Sequence, residues 1–167
     1  MATPTYTLIE QVNQVSFGTV TFTNLSSLSS YRDLIIVFDS SVTGDTVIAY
    51  DMTFNNDTST SNYSQVLMKG NGSSAYSTTQ TAAGNFDFDF GSPALYVDGG
   101  GVIICQIFDF LATDKHKSLL TRLNYPSSAS YSGVAATAGR YASTSAINEI
   151  DVKVNSSSLV SLYGIEA

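Results

Sequence analysis

Residues 20–25 read VTFTNL. On an extended chain Val20 and Phe22 fall on one side and Thr19, Thr21 and Thr23 on the other, the two-residue period of a strand with one face in a core and one in water. The period returns in AINEIDVKVN at 146–155, where Ile150, Val152 and Val154 point one way and Glu149, Asp151 and Lys153 the other. Upstream, Val15 and Phe17 have the opposite parity to Val20 and Phe22, so a bulge or bend is expected at Gly18.

Other segments add strands. RDLIIVFDS at 32–40 is apolar without alternation from Leu34 through Ile35, Ile36 and Val37 to Phe38. Such a run is covered on both faces, one by core and the other by a neighbouring loop or by another copy of the chain, which makes these five residues a candidate interface. TVIAYDMTFN at 46–55 reads as one strand. ALYVDGGGVIICQIFDF at 94–110 reads as two strands joined in a hairpin at Asp98 to Gly101, with SLLTRLNYP at 118–126 as the next neighbour. SLVSLYGI at 158–165 closes the chain, and 126–146, rich in Ser, Ala and Gly, is expected to be a long connection. About ten short strands with regular turn signals and almost no helical period make an all-β chain, a sandwich or barrel, in a single domain over 1–167.

Composition narrows the function. Of 167 residues 43% are hydrophobic and only 13% charged, so polarity comes from Ser and Thr. A formal charge of −7 with seven Lys and Arg scattered along the sequence argues against a nucleic-acid partner, because phosphate binders gather basic side chains. DKHKS at 114–118 reads as a solvated turn. No apolar run reaches the roughly 18 residues of a membrane span, and the first residues lack the basic start of a signal peptide; no membrane partner and synthesis in a cytoplasm are expected.

Catalytic and metal chemistry find little footing. The single histidine, His116, lies in the polar DKHKS turn, and the single cysteine, Cys105, lies inside GVIICQIF, the setting of an inert core thiol. Two such residues are too few for zinc, and no G-x-S-x-G accompanies them. DGGGV at 98–102 precedes a strand, leaving no helix N-terminus to hold a phosphate. FDFDF at 86–90 sets Asp87 and Asp89 on one strand face, a spacing that could hold a cation or pair an acid with a base, but no third ligand stands near, and alternation buries Phe86, Phe88 and Phe90 and leaves the aspartates in water. Eleven Asp and three Glu always contain some pair at glycosidase range, a signal without specificity. No enzyme, no cofactor, no metal and no catalytic residue is expected.

TFNNDTSTSNYS at 53–64 crowds side-chain oxygens around Asp57. A calcium loop begun at Asn55 would need glycine at its sixth position and glutamate at its twelfth, where Thr60 and Val66 stand. The structural reading turns the chain at Asn55, Asn56 and Asp57 with side-chain bonds to the backbone, lets TSTSN form a short helical turn through Asn62, and buries the Tyr63 ring with a partner for its hydroxyl.

The order of VTFTNL, YRDLIIVFDSS, TFNNDTSTSNYS, KGNGSSA, SAINEIDVKV and SLVSLYGI resembles a recurrent family of bacteriophage virion proteins over nearly the whole chain. In that pattern a strand ends in a Phe-Asn-Gly-Asp-Thr turn leading to Asn-Tyr-Ser. Asn56 stands where glycine is usual, and Tyr141 is the nearest aromatic to a tryptophan often seen later. The resemblance implies a jelly-roll-like β-sandwich that is a structural part of a tailed-phage particle. It implies first a capsid decoration or cement protein on the capsid surface of the virion, bound to the major capsid protein and to its own copies as a homotrimer. The alternative is a tail-fibre or appendage tip binding host surface glycan, for which ten Tyr speak and the absence of Trp does not.

Overall fold

The computed structural model describes residues 5–40, 46–47, 51–88, 96–97, 101–125, 133–154 and 158–166. In chain order the strands are β1 (Tyr6–Gln14), β2 (Gly18–Phe22), β3 (Tyr31–Ser40), β4 (Thr46–Val47), β5 (Asp51–Phe54), β6 (Tyr63–Gly70) and β7 (Ala75–Ala83). They continue as β8 (Phe86–Asp87), β9 (Tyr96–Val97), β10 (Gly101–Phe108), β11 (Lys117–Tyr125), β12 (Gly133–Tyr141), β13 (Ile150–Val154) and β14 (Ser158–Glu166). One short 3-10 turn, Leu25–Ser27, is the only helical element among the described residues. Every pairing is antiparallel. Eight strands form one sheet in the order β1-β14-β3-β10-β11-β12-β6-β7, four form a second in the order β2-β13-β5-β8, and β4 pairs with β9 apart from both. The architecture is an all-β sandwich.

Alternation builds the interior. Val20 and Phe22 of β2 and Ile150, Val152 and Val154 of β13 are buried from the small sheet, facing Leu34, Ile36 and Phe38 of β3, Cys105 and Ile107 of β10 and Leu162 of β14 from the large one. Phe86 and Phe88 are buried as the alternation requires, with Phe88 5.9 Å from Phe38; Asp87 is part-buried, while Asp89 and Phe90 lie outside the described residues. Gly139 of β12 has a spatial role: a Cβ there would sit 2.6 Å from Cε1 of Phe86, so glycine is what lets this ring of the small sheet reach the large one.

Several expectations are corrected. The strands on either side of Asp98 to Gly101 are not hairpin partners, because both flanks of β10 are taken by β3 and β11 and β9 pairs with β4; Asp98 to Gly100 lie outside the described residues. TVIAYDMTFN is two strands in different sheets. The 126–146 connection contains β12, a nine-residue strand between β11 and β6; its small residues suit close packing as well as a loop. Gly18 opens β2 after a bend at Ser16 and Phe17, which is where the phase changes. Lys117 leaves the solvated turn: it starts β11 on the core-facing parity, is buried, and its ammonium donates to the carbonyls of Lys115 (3.2 Å) and Thr144 (3.4 Å), with burial lowering its pKa.

The run Leu34 to Phe38 is divided by its sheet. Leu34, Ile36 and Phe38 are fully buried in the sandwich and cannot serve as an interface. Ile35 and Val37 lie on the outer face, half-buried beside Gln106 and Ile104 of β10 and Tyr163 and Ser161 of β14.

Candidate functional site

The strand β5 ends at Phe54 and turns at once. Asp57 N–H donates to the Phe54 carbonyl at 2.9 Å, and Asn55 and Asn56 have φ of 53° and 54°. Two successive positive φ values are what a tight type I′ connection demands, and asparagine, whose short amide tolerates the left-handed region, stands at both positions. Glycine and asparagine would meet the same backbone need at position 56. Asn56→Gly is expected to change stability by no more than about 0.5 kcal/mol, whereas Asn56→Val should cost about 1–2 kcal/mol, as urea titration will measure.

Beyond the turn, Asp57 collects donors. Its Oδ1 accepts from Ser59 N–H at 2.8 Å; its Oδ2 accepts from Asn62 Nδ2 at 2.7 Å and from the Tyr141 hydroxyl at 2.8 Å. The Tyr63 hydroxyl donates to the Asp57 carbonyl at 2.7 Å and accepts from Phe54 N–H at 3.1 Å. TSTSN makes a single turn, Asn62 N–H to Ser59 carbonyl at 3.0 Å, and no helix. Asn55 fastens the other side: its Nδ2 donates to Ala146 carbonyl at 2.9 Å, and its Oδ1 accepts from Asn148 N–H at 2.8 Å and Glu149 N–H at 3.1 Å. Asn56 Nδ2 donates to Glu149 Oε1. The turn after β5 is thus tied to residues 141–149, between β12 of the large sheet and β13 of the small one.

Rings close the arrangement from below. Phe54 and Phe86 come from the small sheet, Tyr63 and Tyr141 from the large one, with centroids 5.0 Å apart for Tyr63–Phe86 and 5.3 Å for Phe54–Tyr141, both edge-on. The electrostatics follow. Burial pushes the Asp57 carboxyl up, but the donors from Ser59, Asn62 and Tyr141 outweigh it and hold its pKa at about 2. Burial and then the Asp57 carboxylate push Tyr141 up to about 12, and burial raises Tyr63.

These geometries favour the turn over a cation site. A hard cation needs several oxygens offered as acceptors. Here both Asp57 oxygens are occupied by donors, and among the described residues no group of three or more His, Cys, Asp or Glu stands close enough to hold a metal. Because Asp57 titrates lower folded than unfolded, its stabilisation is complete above its unfolded pKa near 4 and is lost as pH falls through about 2. Unfolding free energy should fall between pH 5 and 2 with a share from Asp57 on the order of 1–2 kcal/mol after solvent screening, a share missing in Asp57→Asn.

The other sequence candidates do not converge. Cys105 is fully buried, and burial raises its thiol pKa, which suppresses the reactive thiolate. His116 is exposed in the 109–116 loop. The buried carboxylate of Asp33, unnoticed in the sequence, fastens that loop: its Oδ1 accepts from Asp109 N–H at 3.0 Å and Arg32 pairs with its Oδ2 at 2.9 Å. Burial opposes its ionised form, but these donors win and lower its pKa.

Open concavities lie on both sheets. A polar groove of about 330 Å³ on the small sheet is lined by Thr19, Thr53, Asn56 and Asn85 with Asp51, Asp151 and Lys153. Lys153 is neutralised by Asp51 at 3.0 Å. A larger groove of about 730 Å³ lies at the β6/β7 end of the large sheet, where Met68, Val134, Ala136 and Tyr76 accompany Arg122 and Lys69. Neither brings a nucleophile and base together. No protein-family profile and no curated protein matches the chain.

Proposed function

We propose that this chain is a structural protein of a tailed-phage virion, a decoration or cement protein that binds the major capsid protein and its own copies on the shell. The supporting observation is the outer face of the eight-stranded sheet. There Val66, Met68, Leu120, Val102 and Val134 are exposed beside the half-buried Ile35 and Val37, on a broad surface with few charges. Such a face suits adhesion by area and shape, since contiguous exposed apolar surface on a small domain marks an interaction site. Two of the motifs behind the family resemblance, TFNNDTSTSNYS and SAINEIDVKV, also meet in one place: Asp57 accepts from Asn62, Tyr63 and Tyr141, and Asn55 bonds to the segment before β13. They belong to the fold, and the adhesive role rests on the sheet.

The glycan reading would use the polar groove on the small sheet, which offers hydroxyls, amides and carboxylates but no aromatic ring for a sugar to stack upon. Electron microscopy of particles with and without the chain tests the proposal. Density on the capsid shell that vanishes with the chain is the expected result, and density confined to a fibre end would overturn it in favour of the glycan reading.

A further inference from the structure

The eight-stranded sheet has two open ends, and they differ in sign. Among the described residues β1 is paired only by β14, and β7 only by β6. A free strand edge presents unpaired N–H and C=O groups to any other strand, and proteins ordinarily block it with Lys, Pro or inward charge. At β7 that protection is missing: no charged residue occurs between Lys69 and Asp87. Extra residues before Ala83 shift the pairing of β7 with β6, which leaves Ala75 to Gln80 as a regular free run of six. At β1 the register shifts between Leu8 and Glu10, which leaves Glu10 to Gln14 as a regular free run of five. The two runs differ in length by one residue.

Apolar surface flanks both. Beside the β1 run stand Val15 at 76% exposure and Phe17 at 67%; beside the β7 run stands Met68 at 54%, with Val134 at 64% one strand further in. Charge separates them. The strands β6, β7, β11 and β12 carry Lys69, Lys117, Arg122 and Arg140 and no acid, four of the seven basic residues of a chain whose formal charge is −7. Arg122 and Arg140 are exposed and form no ion pair among the described residues. At the other end β1, β14 and β3 carry Glu10, Glu166, Asp33 and Asp39, with Arg32 committed to Asp33.

We infer that the β7 edge of one copy pairs with the β1 edge of the next, joining large sheets head to tail. Like ends bring halves of one sign together: Lys69, Arg140 and Arg122 lie one, two and three strands in from the uncharged β7 edge, and two β1 ends bring Glu10 against Glu10. Unlike ends attract, and each seats the other's exposed apolar residues, Val15 and Phe17 against Met68 and Val134. A contact between two different surfaces of one chain is heterologous; it closes into a ring, of which a trimer is one, or runs on as a filament. This inference rests on the homo-oligomer part of the proposed function and is independent of the capsid part.

Two edge variants of the full chain test it. Met68→Glu with Tyr76→Glu spoils the β7 end, and Glu10→Lys with Phe17→Lys spoils the β1 end; all four positions are exposed, and circular dichroism verifies folding. By light scattering the wild type should show a multiple of the monomer mass and each variant alone a monomer. An equimolar mixture should associate again, because the intact β1 edge of one variant meets the intact β7 edge of the other. If either double variant fails to fold, Ser77→Glu and Asn13→Lys, at exposed positions on the same edges, repeat the test. A monomeric wild type, an oligomer that survives in one variant alone, or a mixture that stays monomeric would each overturn the pairing. Since no shell is present, such a failure leaves the test on particles untouched.

Discussion

Replacing Asn55 and Asp57 together with alanine should lower the unfolding free energy by about 3–5 kcal/mol, or melting by roughly 10 °C. The two side chains make six hydrogen bonds between them, three to Asp57 carboxylate oxygens and three to Asn55. Alanine at Asp57 removes the carboxylate to which the hydroxyl of the buried Tyr141 and the amide of Asn62 donate, and alanine at Asn55 frees two backbone N–H groups before β13. The loss of a partner costs more than the absence of both, so Asp57→Ala should be worse alone than combined with Tyr141→Phe. Urea unfolding of the two single variants and the pair measures that coupling. Calcium or a chelator should leave melting unchanged, because the Asp57 oxygens already accept from nitrogen and hydroxyl donors. A loss below about 1 kcal/mol for the double alanine variant, or melting that rises by many degrees with calcium, would refute the structural role.

Phe54→Ala should cost about 3–5 kcal/mol, the range for emptying a buried aromatic site. Phe54 is 1% exposed and its ring lies 5.5 Å from Phe86, 5.3 Å from Tyr141 and 6.5 Å from Tyr63, so truncation opens a cavity bordered by both sheets. These neighbours are themselves held by strands and by Asp57 and cannot collapse inward cheaply. Tyr63→Phe separates packing from polarity: it keeps the ring and removes the hydroxyl that bridges Phe54 N–H and the Asp57 carbonyl, for an expected loss of about 1–3 kcal/mol. Equal losses for the two variants would show that the hydroxyl, and not the ring packing, sets the stability of this corner.

Much of the fold was legible in the sequence because burial on a pleated strand has a period of two. Val20 and Phe22, and Ile150, Val152 and Val154, are buried where alternation puts them, and β10 and β11 are neighbours as their adjacency suggests. The turn at Asn55 to Asp57 was legible for a different reason. Asparagine and aspartate bond to nearby backbone and tolerate positive φ, so their clustering after a strand is a local signal.

Pairing partners were not legible, because a strand's period says which face is buried and nothing of which strand lies beside it. Two glycine-linked apolar runs looked like a hairpin, yet β9 pairs with β4 and β10 sits between β3 and β11. β12 was read as loop because Ala, Gly and Ser are poor strand formers by themselves; packing against β6, β11 and the Phe86 ring overrides that preference. Lys117 was read in a solvated turn and Asp33 carried no signal, and the chain brought back to them, at Thr144 and at Asp109, supplies partners that let them be buried.

By itself the sequence determined the class: strands set by alternation, a turn set by Asn and Asp, and a core thiol set by its apolar flanks. Only the tertiary structure decided which residues act together. It sent Asn55 to residues 146–149 and Tyr141 to Asp57 across more than 80 residues of chain. It divided the run from Leu34 to Phe38 between core and outer face, and gathered four of seven basic residues, scattered along the sequence, onto one half of one sheet. The physical reason is the same in each case: local preferences act over a few residues, whereas strand order is settled by burial of the whole core, which no short stretch of sequence contains.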